Sequence, residues 1–108
     1  MTNNEKSILV LSAFPTSISV KDIAEILVNE KLAACINIIP EVQSVFRWKN
    51  KVDNTPENIL IIKTTLNLYD ILEKRIKQLH PYELPEIIAV PIEKGLTEYL
   101  NWVSENTK

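Results

Sequence analysis

Residues 33–65 of this chain read as two long strands joined by a tight turn, and that stretch constrains everything around it. The first strand runs from about Ala33 to Trp48, dense in Cys, Ile, Val, Phe and Trp, with Pro40 partway along. The second runs from about Val52 to Thr65 and contains Ile59-Leu60-Ile61-Ile62. Lys49-Asn50 or Asn50-Lys51 forms the tip, because asparagine accepts positive φ at lower cost than most residues. A strand of roughly 14 residues at ~3.3 Å each extends ~45 Å. A compact domain of this size has a radius of gyration near ~13 Å, hence a diameter only a little above ~30 Å. The hairpin is therefore expected to outreach its own domain. Its outer half carries Val42, Val45, Phe46 and Trp48, an apolar surface for which a second subunit is the simplest cover. The chain is expected to be an obligate oligomer.

The bulk numbers bound the rest. At 108 residues the chain is one domain, 1–108, with a flexible segment at 1–6 and a folded core over 7–106. Apolar residues make up 45%, which supports a real core and argues against disorder. A net charge of -2 gives no basic face for nucleic acid, and the Lys74-Arg75 and Lys77 cluster reads as a solvated helix face. One cysteine, Cys35, excludes an internal disulfide framework. No apolar run approaches the ~20 residues needed to span a bilayer, so no membrane partner is expected. The short polar N-terminus lacks the pattern of a secretory signal, which favours the cytoplasm.

In chain order, Ile8 to Phe14 is an almost unbroken apolar run that suits a central strand, ended by Pro15. Ser17 or Ser19 caps a helix whose apolar residues Val20, Ile23, Ala24, Leu27 and Val28 recur at helical spacing. After the hairpin, Asn67 is the expected cap of a second helix bearing Leu68, Ile71, Leu72, Ile76 and Leu79. Residues 80–85 stop it. Glu86 to Pro91 reads as a strand, and Thr97 to Glu105 as a short last helix. Strand-helix-strand-strand-helix-strand is the ferredoxin-like split βαβ pattern of the α+β class, an antiparallel sheet with both helices on one face. The other face is left bare, wet or buried by a partner. The polar stretch 49–58 reads as a solvated tip with a bend at Pro56.

Enzyme templates fall away early. One glycine cannot build a phosphate loop, and neither a His-Glu-x-x-His run nor paired cysteines are present. No reaction and no organic cofactor are expected. Cys35 is either a small buried hydrophobe or a soft ligand for an ion such as Cu(I). His80, the only histidine, is either a packed, hydrogen-bonded ring at a helix end or a metal or small-anion contact. Tyr82, Glu83 and Glu86 follow within six residues. Lys63 closes an apolar strand run, and a Lys63–Glu86 pair across neighbouring strands is expected. Trp48, Trp102, Tyr69 and Tyr99 read as packing residues, with Trp102 placed to cover a subunit contact.

Several motifs resemble the CutA divalent-cation tolerance family. They are the run 31–40 (Lys-Leu-Ala-Ala-Cys-Ile-Asn-Ile-Ile-Pro), Ser44-Val45-Phe46-Arg47-Trp48, Ile62-Lys63-Thr64-Thr65, the run 79–89 from Leu79-His80-Pro81-Tyr82 onward, and Tyr99-Leu100-Asn101-Trp102. Together they cover about Ile8 to Asn106 in the right order. The resemblance implies a ferredoxin-like subunit in a tight homotrimer similar to PII signalling trimers, which agrees with the placement of Phe46, Trp48 and Trp102 at an interface from hairpin length and aromatic character. It implies tolerance of divalent cations, copper above all, weakly bound in a cleft between subunits. Cys35, His80 and Glu86 match the metal candidates, and Lys63, Tyr82 and Glu83 the cleft around them. The alternative is a PII-like sensor that takes a small anionic metabolite through Lys63, His80 and Tyr82 and signals to a protein partner. The chain departs from the family at three places. Ser12 stands where some members have a further cysteine, which removes a soft ligand. Glu41 and Asn50 stand where glycine is frequent. Asn50 tolerates positive φ, whereas Glu41 implies that its position needs none.

Overall fold

A computed structural model describes residues 6–108. The flexible segment expected at 1–6 therefore lies, Lys6 apart, outside the described residues. The Lys6 carbonyl accepts a hydrogen bond from the Leu66 N–H at 2.7 Å.

The apolar run forms β1 (Ser7–Pro15), and α1 (Val20–Asn29) follows after a tight turn. Ser19 is its N-cap, accepting from the Asp22 N–H at 3.4 Å. The hairpin comprises β2 (Cys35–Trp48) and β3 (Lys51–Thr65). A short 3-10 turn (Leu66–Leu68) leads into α2 (Tyr69–Leu79). This corrects the expected cap: α2 starts after Leu68, which makes no side-chain capping bond, rather than after Asn67. Then come β4 (Ile88–Pro91), shorter than expected by its first two residues, and α3 (Thr97–Glu105).

The four strands form one antiparallel sheet in the order β2-β3-β1-β4. Alternation along β1 and β3 turns Ile8, Val10, Phe14, Leu60 and Ile62 to one face, where they meet Val20, Ile23 and Leu27 of α1 and Leu72 and Ile76 of α2. Each such side chain, taken out of water, contributes about 1.5–3 kcal/mol. Register places Leu9, Ala13, Ile59, Lys63 and Cys35 on the opposite face. That face is not bare throughout. The Lys63 ammonium lies 5.7 Å from the centre of the Tyr99 ring, so α3 covers the Leu9–Lys63 end and buries Val103 there. The rest of the face, toward Ala13 and the hairpin, has no helix over it.

β1 ends opposite Glu57, and beyond that pair β2 and β3 continue alone as an arm. The molecule measures 51 × 25 × 22 Å, so the arm does outreach the body. Lys49 and Asn50 both hold positive φ, 50° and 68°, as a two-residue hairpin turn with the matching twist requires. The bend expected at Pro56 lies instead on β2, where the register slips between Ile39 and Val42; Pro56 stays paired with Gln43. Proline on β2 interrupts the ladder because it has no N–H, and the extra residue is absorbed there. Glu41, in that bulge, has φ 55°, which overturns the expectation that its position needs no left-handed backbone.

Candidate functional site

A groove lies where the arm leaves the body. It encloses about 810 Å³ between the arm residues 44–48 and 53–57 and the segment 82–86 that follows α2. Register explains which arm residues face it. Ala13 and Glu57 lie on the uncovered sheet face, and Thr55, Asp53, Ser44, Phe46 and Trp48 continue that face outward.

His80 positions the other wall. β4 pairs with β1 only over residues 8–11, so the edge of β1 at Ala13 lacks a strand partner. The His80 Nε2–H donates to the Ala13 carbonyl at 2.7 Å and stands in for the missing ladder bond. Its Nδ1 accepts from the Tyr82 N–H at 3.2 Å, which places the ring proton on Nε2. The ring stacks on Phe14 with centroids 4.1 Å apart and is 8% exposed. Burial holds its pKa below the ordinary value, opposed by the Ala13 bond and the Glu57 charge. His80 is thus a neutral, packed ring with both nitrogens engaged. A metal would reach it only by displacing one of those bonds.

Pro81 carries the chain past the edge of β1, and Tyr82 crosses to the groove. Its hydroxyl donates to Glu57 Oε2 at 2.8 Å. Burial first, then the Glu57 carboxylate as acceptor and as charge, push the Tyr82 phenol up to about 12, so it stays a donor. Glu57 is 7% exposed, and Tyr82 gives this buried carboxylate a partner. Glu83 and Glu86 line the mouth and are exposed.

The remaining expected residues lie elsewhere. Lys63 and Cys35 face each other across β3 and β2, four residues along β3 from the Ala13 partner Ile59, which is about 13 Å of strand. The expected Lys63–Glu86 pair is not formed: β1 separates β3 from β4, and the Lys63 ammonium sits over Tyr99. Ser12 is fully buried on the core face, with its Oγ unpartnered among the described residues, whereas Cys35 is half-buried on the open face. Among the described residues, no group of three His, Cys, Asp or Glu side chains converges to hold a metal. Cys35, His80 and Glu86 are not brought together within one chain. Phe46, Trp48 and Trp102 are about 40% exposed. Asp53 and Glu57 are the groove residues that the sequence reading missed. The signal for them was period-two alternation carried out from Ala13's partner into the polar stretch 49–58.

The fold and groove define a class: a small antiparallel α+β subunit, with α1 and α2 on one sheet face, α3 over one end of the other, and a projecting two-stranded arm beside a carboxylate-lined cleft. The chain belongs to the CutA1 divalent ion tolerance protein family, whose model matches residues 8–106. It is 46% identical to the divalent-cation tolerance protein CutA of Thermus thermophilus over 92% of this chain and 96% of that one. The solved Thermus structure superposes with a TM-score of 0.91 at 44% identity, covering 94% of this chain and 99% of that chain. The chain is 42% identical to the chloroplastic protein CutA 1 of Oryza sativa over 94% of its own length, and spans 58% of that longer protein. The structure of the PII-like protein CutA from Nostoc sp. PCC 7120 in apo form has a TM-score of 0.87 at 34% identity, covering 94% of this chain and 97% of that chain. The general function is the family's, tolerance of divalent cations, a description that names no reaction. No helix among the described residues is long and apolar enough to cross a membrane.

Proposed function

We propose that the chain acts as a homotrimer that meets divalent cations, copper among them, in the groove beside its arm, with the cleft completed by a neighbouring subunit. The observation that carries this reading is the arm itself. It projects from the body with Val45 69%, Phe46 39% and Trp48 41% exposed, beside a groove that no single chain closes. Asp53, Glu57, Glu83 and Glu86 line that groove against one cation, Arg47, which favours a positively charged ligand. Glu83 and Glu86 are the candidate contacts, with His80 and Tyr82 holding the wall in place. Cys35 joins such a site only from another subunit. The alternative, a PII-like sensor of a small anion, draws support from the Nostoc relative, which is described as PII-like. The carboxylate excess and the distance of Lys63 from the groove weigh against it.

Sedimentation equilibrium should give a trimer mass, and calorimetric titration with Cu(II) and Zn(II) should show saturable binding that weakens in E83Q/E86Q. A monomer at every concentration, or heat without saturation, overturns the reading. Saturable binding of nucleotides or carboxylates instead would favour the sensor.

A further inference from the structure

Of the carboxylates that line the groove, Glu57 is the one that the fold has taken out of water. It is 7% exposed, whereas Asp53, Glu83 and Glu86 are exposed. Its backbone is pinned between Pro15 of β1 and Val42 of β2, at the last position where three strands run together. A buried charge is ordinarily paired or bound to a metal. Among the described residues the one ion pair joins Arg75 to Glu30 on the helical face, so no charged side chain of those residues pairs with Glu57. Its carboxylate has one hydrogen bond among them, from the neutral Tyr82 hydroxyl to Oε2 at 2.8 Å. The second oxygen, Oε1, accepts nothing there. The buried side-chain oxygens sealed in without a partner are those of Ser12, Thr64 and Thr65, so Oε1 is not sealed and opens on the groove.

We propose that Oε1 of Glu57 is the innermost contact of the cation, and that the ion it takes is a hard divalent one, Mg2+ or Mn2+, which keeps most of its water. The proposal rests on the cation reading above and adds a ligand and an ion class to it. Donor chemistry argues the class. Around Glu57 the groove offers oxygen: the hydroxyls of Ser44 and Thr55 and the carboxylates of Glu83 and Glu86. Softer donors are out of reach within the chain. Both His80 nitrogens are engaged, and Cys35, opposite Lys63, lies six residues of strand from Glu57, about 20 Å. Oxygen ligands suit hard cations and disfavour Cu(I). Ions of the Mg2+ kind are held by one or two carboxylates and retain several waters, so they need no cluster of three protein ligands. That fits a chain in which no such cluster occurs among the described residues. Tyr82 occupies Oε2 and so fixes the side-chain conformation that presents Oε1. Glu83 and Glu86, exposed at the mouth, attract the hydrated ion and meet it from outside.

The test is titration with Mn2+, read by the paramagnetic resonance of the free ion, with circular dichroism on each chain. E57Q leaves an acceptor for Tyr82 and removes the charge, and should weaken Mn2+ binding by about tenfold or more. E57D draws the charge back by one methylene; it should lose about threefold, and it keeps the contact testable if E57Q misfolds. E83Q/E86Q should also lose about threefold, as contacts made through water. Mn2+ should raise the melting temperature of wild type and leave that of E57Q unchanged, and Mg2+ should compete for the site. Wild-type affinity in both E57Q and E57D, or saturable Cu(II) binding with no response to Mn2+, overturns the assignment of Glu57 and its ion class while the cation reading stands. Absence of saturable binding by any divalent ion overturns that reading itself, so the two failures are told apart.

Discussion

Glu41 sits at φ 55° in the β2 bulge, held there by its N–H donating to Asn58 Oδ1 at 2.9 Å. Left-handed backbone costs a residue with a Cβ about 1–2 kcal/mol, part of which glycine returns in unfolded-state entropy. E41G should therefore raise stability by about 0.5–1 kcal/mol, measured as a higher urea midpoint at constant slope. A lower midpoint would mean that the glutamate side chain has a role the bulge does not reveal. His80 carries the acid response. Its pKa is lowered from 6.5 in the fold, so between that folded value and 6.5 the unfolded chain binds more protons. Stability is then full above about pH 6.5 and falls as pH drops through that window. Protonation would also turn Nδ1 from acceptor to donor against the Tyr82 N–H. Urea unfolding from about pH 7.5 down to pH 5.5 should show a loss in wild type that H80N lacks, and equal slopes in the two would place the acid response elsewhere. Sequence spacing kept His80 open between packed ring and ligand. Only the bond to Ala13, 67 residues earlier in the chain, decides that it is a packed ring.

At the scale of elements, the segment between α2 and β4 is fastened by His80 to Ala13 and by Tyr82 to Glu57, with a longer bond of 3.5 Å from the Tyr69 hydroxyl to the Ile87 carbonyl. Y82F keeps the ring and removes one fastener, leaving a buried carboxylate without its donor. That should cost about 1–3 kcal/mol and raise hydrogen exchange in residues 82–87. Unchanged exchange would show that His80 and the contacts of Ile87 anchor the segment without Tyr82. Helices α1 and α3 and both hairpin strands were legible from spacing and alternation, because their apolar residues recur at the periods the elements impose. The start of α2 was not, since Leu68 continues the helical pattern one turn early through the 3-10 turn. The Pro56 bend misled for a related reason. Proline marks a break in any strand, and of the two prolines the ladder gave way at Pro40.

The whole molecule is set by the arm. Strand length against domain diameter predicted from the sequence that the hairpin outreaches its body, and the long axis of 51 Å agrees. Which groups the arm brings together was out of reach, because sheet order decides it: β1 between β3 and β4 parts Lys63 from Glu86. If subunits cover the arm, thermal stability should rise with protein concentration. F46A and W48A should shift the oligomer equilibrium before they disturb the fold, each by about 2 kcal/mol or more, and sedimentation across concentrations reads this. A normal assembly in both would move the interface off the arm. The sheet has a further consequence before assembly begins. Both outer strands, β2 and β4, offer unsatisfied backbone to the first β-segment that arrives, native or not. Pro40 and Pro91 are gaps in those two templates, short of an N–H each, and they make a wrong partner harder to extend. If sister chains cover those edges, the contest for a newly made chain is between a sister's strand and a stranger's, and the yield of soluble protein then depends on how soon the sister arrives.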